Sequence, residues 1–282
     1  MYYSWLNSVK FLRKMNSSVY DYYQVSSDEK EQKNAFCEAI LVDEKTHLTW
    51  EEIKKMAPSF PKGWFELCML PISDRIEFVR GFWQSMLPYL PHIHQMLENF
   101  FSRIDDMAVF LTKKKSDEPY VIELVYNLEK GTFFRGNIPA EEEMIRQVKQ
   151  QFQNFLPKDY TAFLRIHNGF CCLSDSGLIP IQELDQVIKT FRFSLTEIDK
   201  PLFFNQRVVN PSHLIPFYQS FGRNSFQCFY SDWYPASEMG NVYYSGSDHT
   251  LSGFSYQKER GENLSFTTFL DWLAFYLEEI EI

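Results

Sequence analysis

The apolar spacing of this 282-residue chain changes period once, near residue 105, and that change limits the fold more than any single motif. Before it, apolar side chains recur every three or four residues, the spacing that gathers them on one helix face. Residues 28–42 would place Ala35, Phe36, Ala39 and Ile40 together. Residues 49–57 open with Thr49 and Glu52, a capping box in which each side chain satisfies the other's free backbone N–H. Residues 73–86 carry Ile76, Val79 and Trp83, with Leu87 next in the series, Ser73 as the expected cap, and Pro88 and Pro91 as interruptions. Residues 92–104 repeat the pattern with Ile93, Met96, Leu97, Phe100 and Phe101. After the change, residues 109–111, 120–126 and 132–134 read as strands of a hairpin or meander, with a polar turn at 113–118.

The second half mixes the two periods. A helix is expected over 140–155, opened by Glu141, Glu142 and Glu143, whose charges suit the positive end of its dipole. Residues 156–169 predict a short helix with firm ends. Pro157 fits the first turn, where a missing N–H costs nothing, and Asn168-Gly169 supplies a left-handed stop. Residues 178–181 lead into a helix over 182–189, and strands are expected at 214–217, 226–230, 242–244 and 253–256. A terminal helix to Glu279 turns Phe269, Trp272, Leu273 and Tyr276 inward. Helices and strands come in runs rather than in alternation, so the class is α+β. There is no internal repeat.

This succession resembles the SUKH superfamily, whose members include bacterial immunity proteins and a fungal cell-wall regulator. The likeness covers about 140–282. It rests on Leu156-Pro157-x-Asp159-Tyr160, Phe163-Leu164, Asn168-Gly169, Ile179-Pro180-Ile181, Glu183-Leu184 and the 214–217 strand. Gly222, the 226–230 strand, Val242-Tyr243-Tyr244 with Asp248-His249, and Ser265-Phe266 complete it. The departures are a long 185–212 connection, Arg223-Asn224 where an acidic residue is frequent, and a large N-terminal extension. The resemblance implies a curved, mainly antiparallel sheet flanked by helices, without enzymatic activity, that binds another protein, often a toxin domain. Two parts are then expected. Residues 1–136 would form a mostly helical region ending in the hairpin or meander, and residues 137–282 the SUKH-like domain.

The chemistry-bearing residues offer little to set against that. His92-x-His94 has ligand spacing for a strand but falls at a helix start, where positions two apart diverge. His167 precedes a helix stop, where a positive charge would favour the dipole. Asp248-His249 could form an acid–base pair, and a hydrolase built on it is the most distant reading; the resemblance makes His249 a structural loop residue. No phosphate loop, G-x-S-x-G or H-E-x-x-H occurs. No catalytic residue, metal or cofactor is therefore expected. The five cysteines include no C-x-x-C, and Cys171-Cys172 reads as a pair of buried thiols.

Charge and localisation narrow the partner. Net charge is −9, which disfavours nucleic acid. Residues 1–136 carry 17 basic and 19 acidic side chains and residues 137–282 carry 11 and 18, so the acidity lies mainly in the second half. At the N-terminus Trp5, Leu6, Val9 and Leu12 share a helix face, but Lys10, Arg13 and Lys14 follow the apolar part, unlike a signal peptide. With no apolar run long enough to span a bilayer, a cytoplasmic protein is expected.

Aromatic residues make up 17% of the chain. The group least accounted for by the expected core lies among acidic residues: Tyr218, Phe221, Tyr230, Asp232, Trp233, Tyr234, Glu238 and Tyr243. These eight are the candidate interface for a basic partner. Phe229 and Tyr244 belong to the same segment, and the rival reading is a sheet filled on both faces and covered by helices. The expected function is non-catalytic binding that neutralises a toxin or effector by occlusion. The alternative is a regulatory scaffold of the same fold that makes its specific contact through residues 1–136.

Overall fold

The computed structural model describes residues 15, 17–25, 36–152, 156–232, 239–252 and 264–278. The expected N-terminal helix, Met15 apart, and the 253–256 strand lie outside them. In chain order the elements begin with helix α1 (Ser17–Tyr22) and strand β1 (Glu38–Val42). Residues 38–42 were expected in a helix. They pair instead with 109–113, and Ile40 and Val42 enter one core while Leu41 enters another. A short apolar run buried on both faces carries no period that separates strand from helix.

Helix α2 (Trp50–Met56) has the expected Thr49–Glu52 capping box. Helix α3 (Lys62–Cys68) was not expected. Helix α4 (Ile72–Met86) starts one residue early, after Pro71, so Ser73 sits inside its first turn and bonds Asp74 rather than capping. Helix α5 (Pro91–Ser102) buries the whole expected set of five apolar residues. Strands β2 (Ile104–Lys113), β3 (Val121–Leu128) and β4 (Phe133–Asn137) form the meander. Then come helices α6 (Glu142–Gln151) and α7 (Lys158–Phe163), and strands β5 (Phe170–Cys172) and β6 (Gly177–Leu178). Helix α8 (Leu184–Thr196) and the hairpin β7 (Leu202–Phe204) and β8 (Arg207–Val209) occupy the long connection. Strands β9 (Leu214–Gln219), β10 (Ser225–Tyr230), β11 (Asn241–Ser245) and β12 (Thr250–Leu251) lead to helix α9 (Phe269–Glu278).

The α+β class is as expected. One antiparallel sheet has the order β1-β2-β3-β4-β5 and the other β12-β11-β10-β9-β6. The expected boundary at 136/137 falls inside β4, whose outer neighbour, β5, comes from the second half. The largest apolar cluster runs beneath both sheets, joining Trp83, Phe100, Tyr126 and Phe134 to Phe163, Phe217, Phe229, Phe269 and Trp272. Helix α9 packs on both α5 and α7 within it. The other face of the first sheet holds Val19, Tyr23, Phe36, Phe110, Val125 and Phe133, with Tyr23 and Phe110 stacked at 4.1 Å. The other face of the second sheet is closed by α8 and the β7–β8 hairpin through Phe191, Leu195, Leu202 and Val209.

A polar chain threads the main core. The Trp83 indole N–H donates to the Tyr126 hydroxyl at 3.1 Å, which lies 2.5 Å from His167 Nε2, and His167 Nδ1 lies 2.8 Å from the Asn137 carbonyl. A carbonyl only accepts, so Nδ1 carries the proton, Nε2 accepts from the tyrosine, and the ring is neutral. Burial holds its pKa down at about 4, against the opposing pull of the Asn137 carbonyl. His167 therefore gives no charge to a helix end, contrary to the expectation. Gly136 makes room for it, since a Cβ there would lie 2.3 Å from Nδ1.

The sign of the resulting pH dependence follows. The folded ring titrates near 4 and the unfolded one near 6.5, so the stabilisation is complete above pH 6.5 and is lost as pH falls toward 4. Between neutral pH and about pH 5 that loss is about 2 kcal/mol. His167→Gln lacks it. Urea unfolding at the two pH values should show the variant less stable at neutral pH and the gap narrowed by that amount at the lower pH; parallel losses would refute the assignment.

Candidate functional site

The second sheet is positioned by a loop between β5 and β6. Asp175 is buried there and accepts four hydrogen bonds. Two come from the backbone N–H groups of Ser176 (2.8 Å) and Phe221 (2.7 Å), and two from the hydroxyls of Tyr218 (2.8 Å) and Tyr276 (2.9 Å). The Tyr276 hydroxyl in turn accepts from the Cys172 N–H at 3.0 Å. Burial and the neighbouring carboxylate both raise the pKa of Tyr218 and Tyr276, so the two remain hydroxyl donors.

That network corrects the candidate interface at Tyr218, which is buried. Alternation alone would set Tyr218 opposite Phe217. The β9–β10 register slips between Gln227 and Cys228, which pair with Tyr218 and Pro216. Phe217 is the extra residue of this bulge, and both rings meet Trp272, at 5.0 and 5.1 Å. Tyr230 is corrected as well: it is 5% exposed, on the face closed by the hairpin, with Phe204 at 5.5 Å. Every residue of β10 is buried, so both faces of the strand are core. Of the rest, Phe221 (46% exposed) and Asp232 are at the surface and Tyr243 is half-buried. Trp233, Tyr234 and Glu238 lie outside the described residues. Phe221 and Asp232 flank opposite ends of β10, about 20 Å apart for six strand residues, so the structure does not bring them together.

Asp232 instead borders a groove of about 640 Å³ between the end of α6, one face of α8 and the start of β9. Asp185, Ile188, Lys189 and Arg192 line it at helical spacing. His213 Nδ1 donates to Asp232 at 2.5 Å, Lys189 to Asp185 at 2.5 Å, and Arg192 to the Ser212 carbonyl at 2.7 Å. The polar side chains of the groove thus bond one another and the Ser212 carbonyl, over an apolar floor of Ile188 and Ile215. The charged stripe on α8 was legible as spacing, but only the fold sets it against His213 and Asp232.

The other chemistry candidates are engaged in structure. His249 is buried, its Nε2–H donating to the Lys200 carbonyl at 2.8 Å and its Nδ1 accepting from Tyr244 at 3.1 Å. Asp248 accepts from Ser245 and Ser247. His92 meets Asp271 at 3.0 Å. Cys171 and Cys172 are free, buried thiols on adjacent strand positions, and burial pushes Cys171 up to about 12 despite the nearby Arg135. Among the described residues no three His, Cys, Asp or Glu side chains are grouped to hold a metal ion.

The motifs of the resemblance have physical roles. Asp159 accepts the Leu270 N–H at 3.1 Å in the first turn of α9; burial raises its pKa, opposed by that bond and the Tyr160 N–H. Asn168 accepts the Ile181 N–H at 2.7 Å and donates to Gln182 at 2.8 Å, while Gly169 takes the left-handed φ of 103°.

Removing the Asp175 carboxylate would leave two buried hydroxyls and two backbone N–H groups without their acceptor. Asp175→Ala should cost about 3–5 kcal/mol in urea unfolding. Tyr218→Phe, which removes one donor, should cost about 1 kcal/mol. Equal small losses would show that the carboxylate does not organise the loop. Among curated proteins none matches the chain. Residues 139–274 match the family model described as SMI1 / KNR4 family (SUKH-1), so this segment, from the turn after β4 into α9, is similar to the SUKH superfamily.

Proposed function

We propose that the chain is a non-catalytic, cytoplasmic binding protein whose SUKH domain neutralises a basic toxin or effector domain by occluding it. The family match of residues 139–274 carries this reading. The acidic surplus of residues 137–282, 18 acidic against 11 basic side chains, supports the sign of the partner. The surface available to such a partner includes Phe221, Asp232 and the half-buried Tyr243, not the sheet face, which is filled. Among the described residues no helix is long and apolar enough to cross a membrane. The rival, a regulatory scaffold binding through residues 1–136, draws support from the exposed Phe78, Phe82 and Tyr89.

Native affinity capture from the producing cell should return one specific protein, forming a one-to-one complex. Its on-rate should fall about tenfold between low and physiological salt, and again with Asp232→Lys. The captured protein's activity should fall in stoichiometric proportion to added chain. A salt-independent on-rate, or no specific partner, would overturn the reading.

A further inference from the structure

Helix α4 has an outer face that its inner packing does not explain. Inward, Arg75, Val79 and Trp83 are buried. Outward, Phe78 is 62% and Phe82 38% exposed, one turn apart on the helix, and Tyr89 just beyond it is 72% exposed. Between the two phenylalanines lies Gly81, where an added Cβ would meet nothing within 4 Å. Glycine inside a helix is unfavourable relative to alanine, and no packing within the described residues requires it here. Ser85, one turn on, is exposed as well. The result is an aromatic ridge beside a notch of small residues, a relief into which the ridge of a second helix fits.

Charge selects the occupant. Asp74 and Glu77 are exposed at the N-terminal end of this face, and the last turn of α4 carries no basic residue. Arg80 is turned to Glu98, at 3.2 Å. A second copy packed antiparallel would set the carboxylates against a helix end without Lys or Arg; packed parallel, it would set them against each other. Both chains would also carry a net charge of −9.

We propose that the outer face of α4 docks an amphipathic helix of another protein, apolar at i, i+3, i+4 and i+7 and carrying Lys or Arg at the end that meets Asp74 and Glu77. The surface lies outside residues 139–274, so it rests on protein binding in general and not on neutralisation by the SUKH domain.

The test pans the full-length chain against a phage-displayed library of amphipathic helices with randomised flanks. Selected peptides should be enriched in flanking Lys and Arg. Their affinity should fall at least tenfold on Gly81→Leu, whose Cβ meets nothing within 4 Å among the described residues and which should leave the melting temperature unchanged or raised. The paired change Phe78→Ser with Phe82→Ser should abolish binding, and Asp74→Lys with Glu77→Lys should weaken it tenfold. Asp232→Lys should leave peptide binding intact, which separates this surface from the one proposed for the SUKH domain. Absent or acidic-flanked enrichment, or binding that survives Gly81→Leu, would overturn the proposal. So would a concentration-dependent dimer lost in these variants, which makes the occupant a second copy, or peptide binding seen only after deletion of residues 1–14, which makes it the chain's own N-terminus.

Discussion

A carboxylate taken out of water is tolerated only when its lone pairs are saturated, and Asp175 meets that condition with groups from three places. Tyr218 comes from β9, Tyr276 from α9 and the Phe221 N–H from the β9–β10 turn. The loop bearing Asp175 joins the edge strand of one sheet to the edge strand of the other. One side chain thereby fixes how the sheets meet, where α9 lies between them and which way Tyr218 points. Because Tyr276 also accepts from Cys172, the last strand of the first sheet is tied to the same centre.

The His167 chain extends the connection toward the N-terminus. Its ring belongs to the segment matched by the family, yet both of its partners, Tyr126 and Asn137, precede that segment, as does Trp83 behind them. The unmatched part of the chain supplies the hydrogen-bond partners of a histidine in the matched segment that burial keeps neutral. It also supplies the glycine against which the ring lies. Interactions cross residue 137 at the backbone too, where β4 pairs with β5.

What could be read from the sequence was whatever a helix or a cap writes into spacing. All five expected apolar residues of α5 are buried, Thr49 and Glu52 cap as written, and Phe269, Trp272, Leu273 and Tyr276 face inward. Strand geometry was harder to read. Residues 38–42 have no period of their own because both faces are buried, and the bulge at Phe217 reverses an alternation that the residue types obey. The β7–β8 turn has positive φ at Asn205 (48°) and Gln206 (65°) without a glycine, so the hairpin that covers Tyr230 gave little turn signal. Asp175 leaves no mark in the local spacing, since its partners lie 43 and 101 residues away.

Filling the second sheet on both faces changes what binding through this domain requires. Tyr230 and Tyr244 face α8 and the β7–β8 hairpin, and Phe217, Tyr218 and Phe229 face α7 and α9, so these five rings offer no open aromatic surface. Of the eight candidate residues, the two found exposed lie at the rims: Phe221 at one end of β10 and Asp232, beside the groove, at the other. A partner touching both must reach about 20 Å along the sheet. That is beyond the reach of one side chain and takes a folded surface or an extended segment of at least about six residues. The hydrogen bonds within the groove bear on the same point. Asp185 and Asp232 already have Lys189 and His213, so a basic partner shares either carboxylate with a neighbour, and selectivity falls to shape and long-range charge.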